Sequence, residues 1–441
     1  MRNLLVFAAV LYLFSGSTIY ADDEADKKSC FYEGATPDEL FAACGRLTES
    51  TNLSDEKKAI AFYNRAGHLS RSDHINNLDA IIANLDSALQ FKPDFIEALF
   101  YRAGAFMGKQ ECVRSIAEFT AVLDLNPKYP TAHYNRAICY EHLKDSDAAL
   151  ADFKAETIVN PDNAEAFYRV GLMEMDRKGY DVAIAAFGRV IELGHKKDWS
   201  YYKRGKAHEA KGDYQKAASD FTSAIGAGYA DIQIYRARGE AYWQIDAYES
   251  VIADFTRLVE AGEDWPWLYV LRGYAFYKEK AFQQSIDDFT TYIRLDEKNA
   301  AGYRFRAMVR TKMGEFNSAI EDLSVAIALD PKDPDNFFDR AENYNRKGKH
   351  KRVVKDLTIV LELDPQRAKA LFHRGLAYKR LEAISDAKAD FDVVITSGSE
   401  TAIKTMQEHF VKKGYLAGDV DGVASEALQK AVEACMADDD C

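Results

Sequence analysis

The chain repeats itself every 34 residues, and that period decides what it can become. A small residue recurs at Ala103, Ala137, Gly171, Gly205, Gly239, Gly273, Ala307, Ala341 and Gly375 without a slip. Sixteen residues after each stands a large apolar one: Phe119, Phe153, Phe187, Phe221, Phe255, Phe289, Leu323, Leu357 and Phe391. A tenth, earlier copy runs from about Ala59 to Pro93, with Arg65-Ala66 at its start and an insertion near Ser70 to Asn76. A period of this length marks one supersecondary unit used many times over, rather than a single closed core. Each unit reads as two helices. In the third, Ala132 to Leu143 has apolar residues at helical spacing, and Lys144-Asp145-Ser146 is a turn. Ala148 to Val159 is the second helix, and Asn160-Pro161 stops it. Such a hairpin cannot bury its apolar faces alone; stacking on its neighbours does so.

The small residue falls at the eighth position of the unit, with Ala at the twentieth, Phe near the twenty-fourth and Pro at the thirty-second. This pattern resembles the tetratricopeptide repeat over roughly residues 58–399. The resemblance implies an all-α superhelical solenoid of about ten 34-residue hairpins, with first helices lining a concave face that binds a protein or extended peptide. On that face it places Phe100, Tyr134, Tyr168, Tyr202, Arg236, Arg304 and Phe338, with Trp243, Tyr274 and Tyr277 one or two turns further along. Aromatic rings in an open groove suit extended peptides or sugar rings, because flat faces offer area at low entropy cost. The same periodicity is also what inter-repeat core would show. The basic pocket by which some members clamp a peptide C-terminus is not reproduced. Repeats four to six depart from the pattern by ending in Gly194, Gly228 and Gly262, where a left-handed residue can close a helix.

A second column is polar. Just before the small residue stands Arg102, Arg136, Arg204, Arg238, Arg272, Arg306, Arg340 or Arg374. Sixteen residues later comes Glu118, Asp152, Asp220, Asp254, Asp288, Asp322, Asp356 or Asp390. Repeat four lacks both, having Val170 and Ala186. Joint presence and joint absence predict pairs between the two helices of one hairpin rather than a ladder of ligand-binding arginines.

The ends differ from the repeats. Arg2 followed by the apolar run Leu4–Phe14 reads as a secretory signal over residues 1–21, with cleavage near Ala21. That run is too short to span a bilayer, so no integral membrane segment is expected after its removal. Residues 22–57 read as a capping half-repeat: Thr36-Pro37-Asp38-Glu39 starts a helix that runs to Leu47. Export would place the six cysteines in an oxidising compartment. They fall as the local couples Cys30 and Cys44, Cys112 and Cys139, Cys435 and Cys441, although fifteen pairings are possible and the middle couple could equally be buried thiols. Residues 400–441 form a small helical module. Its Met406-Gln407, Gly414-Tyr415, Gly418 and Asp421-Gly422 elements resemble a bacterial peptidoglycan-binding domain, but the usual Gly-x-x-Thr and third helix are missing.

With 47% apolar residues the chain folds, and a net charge of −13 speaks against a nucleic-acid partner. No nucleophile motif, phosphate-cradling loop or metal-ligand spacing occurs, so neither catalysis nor a cofactor or metal is expected. His133, His208 and His373 fall inside first helices and read as packing or surface residues. Two functions follow. One is a non-enzymatic interaction scaffold of the bacterial envelope, periplasmic or secreted, with a tether to peptidoglycan. The other is a soluble periplasmic export chaperone or assembly factor whose C-terminus only caps the array.

Overall fold

A computed structural model describes Cys30 and residues 37–50, 53–73, 76–397 and 399–438. The signal segment, Thr36 and Cys441 lie outside the described residues, and every regular element among those described is a helix. The chain divides into two compact units, Met1–Ala230 and Asp231–Cys441, at the junction of repeats five and six.

The first unit opens with helix Pro37–Glu49, which packs on the first helix of repeat one, Asp55–Asp73. A bridge between Cys30 and Cys44, with Cα atoms 4.9 Å apart, ties the preceding chain to it. The insertion in repeat one lengthens its first helix to 19 residues, against 13 for Ile96–Gly108 in repeat two. Helices Leu78–Phe91, Cys112–Leu125, Ala132–His142, Ser146–Val159, Ala164–Asp176, Tyr180–Glu192, Lys197–Ala210 and Tyr214–Gly226 then follow, each packed mainly on the helices before and after it.

The second unit continues the pattern with hairpins Gln233–Gln244/Tyr248–Glu260, Pro266–Lys278/Phe282–Leu295, Ala300–Met313/Phe316–Leu329, Pro334–Arg346/His350–Leu363 and Ala368–Lys379/Ile384–Ser397. Two more helices, Glu400–Lys413 and Glu426–Ala437, complete it. Their Met406, Phe410, Leu428, Ala431 and Val432 share one core with Phe372, Phe391 and Val394 of repeat ten.

The two apolar columns account for the hairpin. The phenylalanines of the second column are fully buried, and Phe187, Phe221, Phe255, Phe289 and Phe391 each press against the glycine sixteen positions earlier. A Cβ at Gly171 would meet the Phe187 ring at 2.7 Å, and one at Gly375 would meet Phe391 at 2.6 Å. Burying each such ring is worth roughly 1.5–3 kcal/mol. Within the hairpin the turn residue takes left-handed backbone in every repeat from two to ten. It is glycine only at Gly212, Gly314 and Gly348; elsewhere it is Gln110, Lys144, Lys178, Asp246, Lys280 or Glu382. Gly194, Gly228 and Gly262 are also left-handed, as the sequence predicts for the shortened inter-repeat turns.

The polar column pairs within each hairpin. Arg272 grips Asp288 through Nε at 2.8 Å and a terminal nitrogen at 2.6 Å, and Arg136, Arg204, Arg238, Arg306, Arg340 and Arg374 grip their aspartates in the same two-pronged way. Arg102 reaches Glu118 through one bond of 2.6 Å. The third guanidinium nitrogen has a partner that the sequence reading did not anticipate. It donates to a hydroxyl sixteen residues back, on the second helix of the preceding repeat: Arg136 to Thr120, Arg272 to Thr256, Arg306 to Thr290, Arg340 to Ser324 and Arg374 to Thr358. Each of these five arginines therefore joins three helices. In repeat four, Val170 and Ala186 are buried against one another's core instead.

Candidate interaction surface

First helices approach each other between repeats two and three, four and five, and eight and nine. The inner face of each unit is therefore made by first helices. The residues expected there sort into three groups.

Phe100 and Phe338 are core. Phe100 is 2% exposed, wedged among Tyr101, Phe119 and Tyr129. Phe338 is 7% exposed, beneath the Arg367 guanidinium at 4.6 Å. Neighbouring rings close over Phe100, and Phe338 reaches only the wall of a small cavity beside His373.

Tyr134, Tyr168 and Tyr202 are half-buried. Each leans on the phenylalanine of its own second helix, with ring centres 5.5–5.9 Å apart. Burial pushes the Tyr134 hydroxyl up to about 12. Tyr202 also stacks on Tyr229 at 4.7 Å, and Trp199, half exposed, packs edge-on against both.

In the second unit the structure brings Trp243, Tyr274 and Tyr277 together. Trp243 meets Tyr274 at 5.4 Å and Tyr248 at 5.8 Å; Tyr274 meets Tyr277 at 5.8 Å; Tyr277 meets Phe282 at 6.1 Å. All five rings are partly exposed. The Lys278 ammonium lies over Tyr248 and Tyr274, 5.6 and 5.4 Å from their centres. Arg236 is exposed but engaged by Glu240. Arg304 is neutralised by three aspartates, Asp333, Asp335 and Asp339, at 3.7, 3.0 and 2.8 Å. Its charge is spent on the neighbouring repeat, so it is a poor anchor for a ligand.

The C-terminal residues are used internally. Met406 is fully buried. Gln407, 3% exposed, binds the loop after its helix from both ends of its amide: Nε2 donates to Asp421 and to the Val423 carbonyl, and Oε1 accepts from the Gly422 N–H. Gly414 closes the helix with left-handed backbone, and Gly418 and Gly422 also have positive φ. Tyr415 packs on Phe410 and donates to Asp438. Cys435 is buried in the same core. Cys112 and Cys139, expected as a bridge, are free and buried. Burial, with the neighbouring Cys112 thiol, pushes Cys139 up to about 12, which keeps it protonated and inert. Among the described residues no cluster of His, Cys, Asp and Glu could hold a metal, and no helix is long and apolar enough to cross a membrane.

Residues 102–158, 144–194 and 202–266 match the tetratricopeptide repeat family model. Those residues are tetratricopeptide repeats by that match, and the remaining hairpins of the all-α solenoid have the same 34-residue pattern. No curated relative matches the sequence. Similar solved structures include a tetratricopeptide repeat protein from Parabacteroides merdae, 19% identical over 57% of this chain and 98% of that one, with a TM-score of 0.35. The C-terminal part of a repeat-containing protein from Cytophaga hutchinsonii is 17% identical over 62% and 98%, with a TM-score of 0.37. YrrB, described as having an unusual peptide-binding site, is 17% identical over 43% and 97%, with a TM-score of 0.37.

Proposed function

We propose that this protein is a non-enzymatic interaction scaffold of the bacterial envelope that binds an extended segment of a protein partner on the inner face of its first helices. The observation that supports it most directly is the run Trp243–Tyr248–Tyr274–Tyr277–Phe282, five partly exposed rings from adjacent repeats with a cation among them. Rings held by their neighbours have little entropy to lose on binding. The test is binding of a fluorescent extended-peptide library to the full chain and to Trp243→Ala with Tyr277→Ala. The expected result is at least tenfold weaker binding by the variant at an unchanged melting temperature. Equal binding would remove the aromatic run from the site.

Export is part of the proposal, and the Cys30–Cys44 bridge supports it, since such bridges persist in oxidising compartments. Detection of that bridge in the periplasmic fraction, and of reduced cytoplasmic chain only before export, is the corresponding check. The shared core of repeat ten and the last two helices favours a second reading of the C-terminus, a seal on the array in a soluble chaperone or assembly factor. Co-sedimentation with purified peptidoglycan separates the two. Pelleting that is lost on Asp419→Ala, an exposed loop change, would establish the wall tether; no pelleting leaves the seal.

A further inference from the structure

The last turn of the first helix bears a column of which the groove reading uses only Lys278. In repeats seven to ten it is basic: Lys278, Lys312, Arg346 and Arg380, 34 residues apart and all exposed. The equivalent positions in repeats two to six are Gly108, His142, Asp176, Ala210 and Gln244. Cations near a helix C-terminus gain from the helix dipole. In repeats two, four and five the cation at the helix end stands one residue later, as Lys109, Arg177 and Lys211, and is paired with an aspartate of the preceding repeat, so the dipole alone does not account for the unpaired Lys278, Lys312 and Arg346.

Lys278, Lys312 and Arg346 have no acidic partner among the described residues. Lys312 and Arg346, together with Lys369 of repeat ten, act on Glu342, whose carboxylate neighbour Asp339 is bonded to Arg304, so three cations here meet one carboxylate not already paired, on a chain whose net charge is −13. Arg346 and Glu342 stand at a cavity of about 100 Å³ whose other walls are Phe338, Ala341, Asn345, Val353, Leu357 and His373. Phe338, Val353 and Leu357 give it apolar walls, and it has room for one side chain.

Resting on the scaffold reading, we infer that repeats seven to ten bind an extended acidic peptide. Its carboxylates would lie on Lys278, Lys312 and Arg346, and one apolar side chain would fill the cavity beside His373. The spacing of the acids follows from geometry. First helices of repeats eight and nine touch, so equivalent positions lie on the order of 10 Å apart. An extended chain covers that in about three residues. The ligand therefore places an acid at every third position.

The test uses the full chain and three fluorescein-labelled dodecapeptides: one with glutamate at every third position and a central leucine, its lysine counterpart, and a scramble that clusters the glutamates. Fluorescence anisotropy should show the spaced acidic peptide binding at least tenfold tighter than the other two, with affinity falling as salt rises. Lys312→Glu with Arg346→Glu should abolish that preference without moving the melting curve. If all three peptides bind alike and only the aromatic variant loses them, the acidic inference is wrong and the scaffold reading stands. If no peptide binds, both fall. If a single-stranded oligonucleotide binds as tightly as the spaced peptide, the column is a generic anion surface and the inference is overturned.

Discussion

Repeat four and repeat seven are the same hairpin held in two ways. In repeat seven the helices are joined by Arg272 and Asp288, with Thr256 of the preceding repeat as third partner. In repeat four the corresponding places hold Val170 and Ala186, and its first helix is instead tied to repeat three, through Glu174 with Lys154 at 2.5 Å and Arg169 with Glu141 at 3.2 Å. Both repeats keep the contact of glycine with phenylalanine, Gly171 on Phe187 and Gly273 on Phe289. The comparison shows that close apolar packing makes the hairpin, and that the buried ion pair is dispensable where both of its members are replaced together. That agrees with the general behaviour of buried pairs, which an apolar pair can replace at little cost but which are costly to break singly.

The largest effects should come from the shared contact. Phe187→Ala and Phe289→Ala should each cost about 3–5 kcal/mol, to a similar extent, in chemical denaturation. A much smaller loss in repeat four would mean that its hairpin rests on something else. Next comes Arg272→Ala, which strands Asp288 at 6% side-chain exposure and should cost about 3 kcal/mol. In repeat four, Val170→Arg alone should destabilise comparably, and adding Ala186→Asp should recover most of the loss. Failure of that rescue would show that local backbone, not the missing pair, separates the two repeats.

Acid should weaken the second unit by a route unrelated to these pairs. Burial, then Lys369 and His409, lowers His373 from 6.5 to about 4. The unfolded chain takes up this proton below about 6.5, while the folded chain resists until about 4. Stability from this site is therefore complete above the upper value and falls as pH drops through the window. His373→Gln should flatten that part of the melting-temperature profile; an unchanged slope would place the acid sensitivity elsewhere. The smallest effect expected is at the turns. Lys178→Gly and Lys280→Gly relieve a left-handed backbone at φ 61° in both repeats and should each gain up to about 1 kcal/mol. A loss at either turn would mean that the lysine side chain contributes more than the strain it bears.

The 34-residue period made most of the fold legible. Residues i and i+16 face each other across every hairpin, so a spacing in the chain becomes a distance in space, and the Arg–Asp pairs could be read without coordinates. The hydroxyl column at Thr120, Thr256, Thr290, Ser324 and Thr358 has the same period and could have been found by asking what lies sixteen residues before each arginine. The basic column at Lys278, Lys312, Arg346 and Arg380 was equally open to a column-by-column reading. The candidate surface was less legible. Phe100 and Tyr134 occupy the same position of the repeat, yet one is core and the other half-exposed. Phe338 and Arg304 share it too, and both are taken up by neighbouring repeats.

By itself, then, the sequence determined the hairpin, its count and the pairing inside it, because those contacts lie at constant separations along the chain. Tertiary structure decided which inner-face side chains remain open, that Cys112 and Cys139 are free thiols, and that Gln407 serves its own loop. Exposure, thiol pairing and hydrogen-bond choice depend on which atoms adjacent repeats bring within a few ångströms, and a repeat pattern averages over those neighbours.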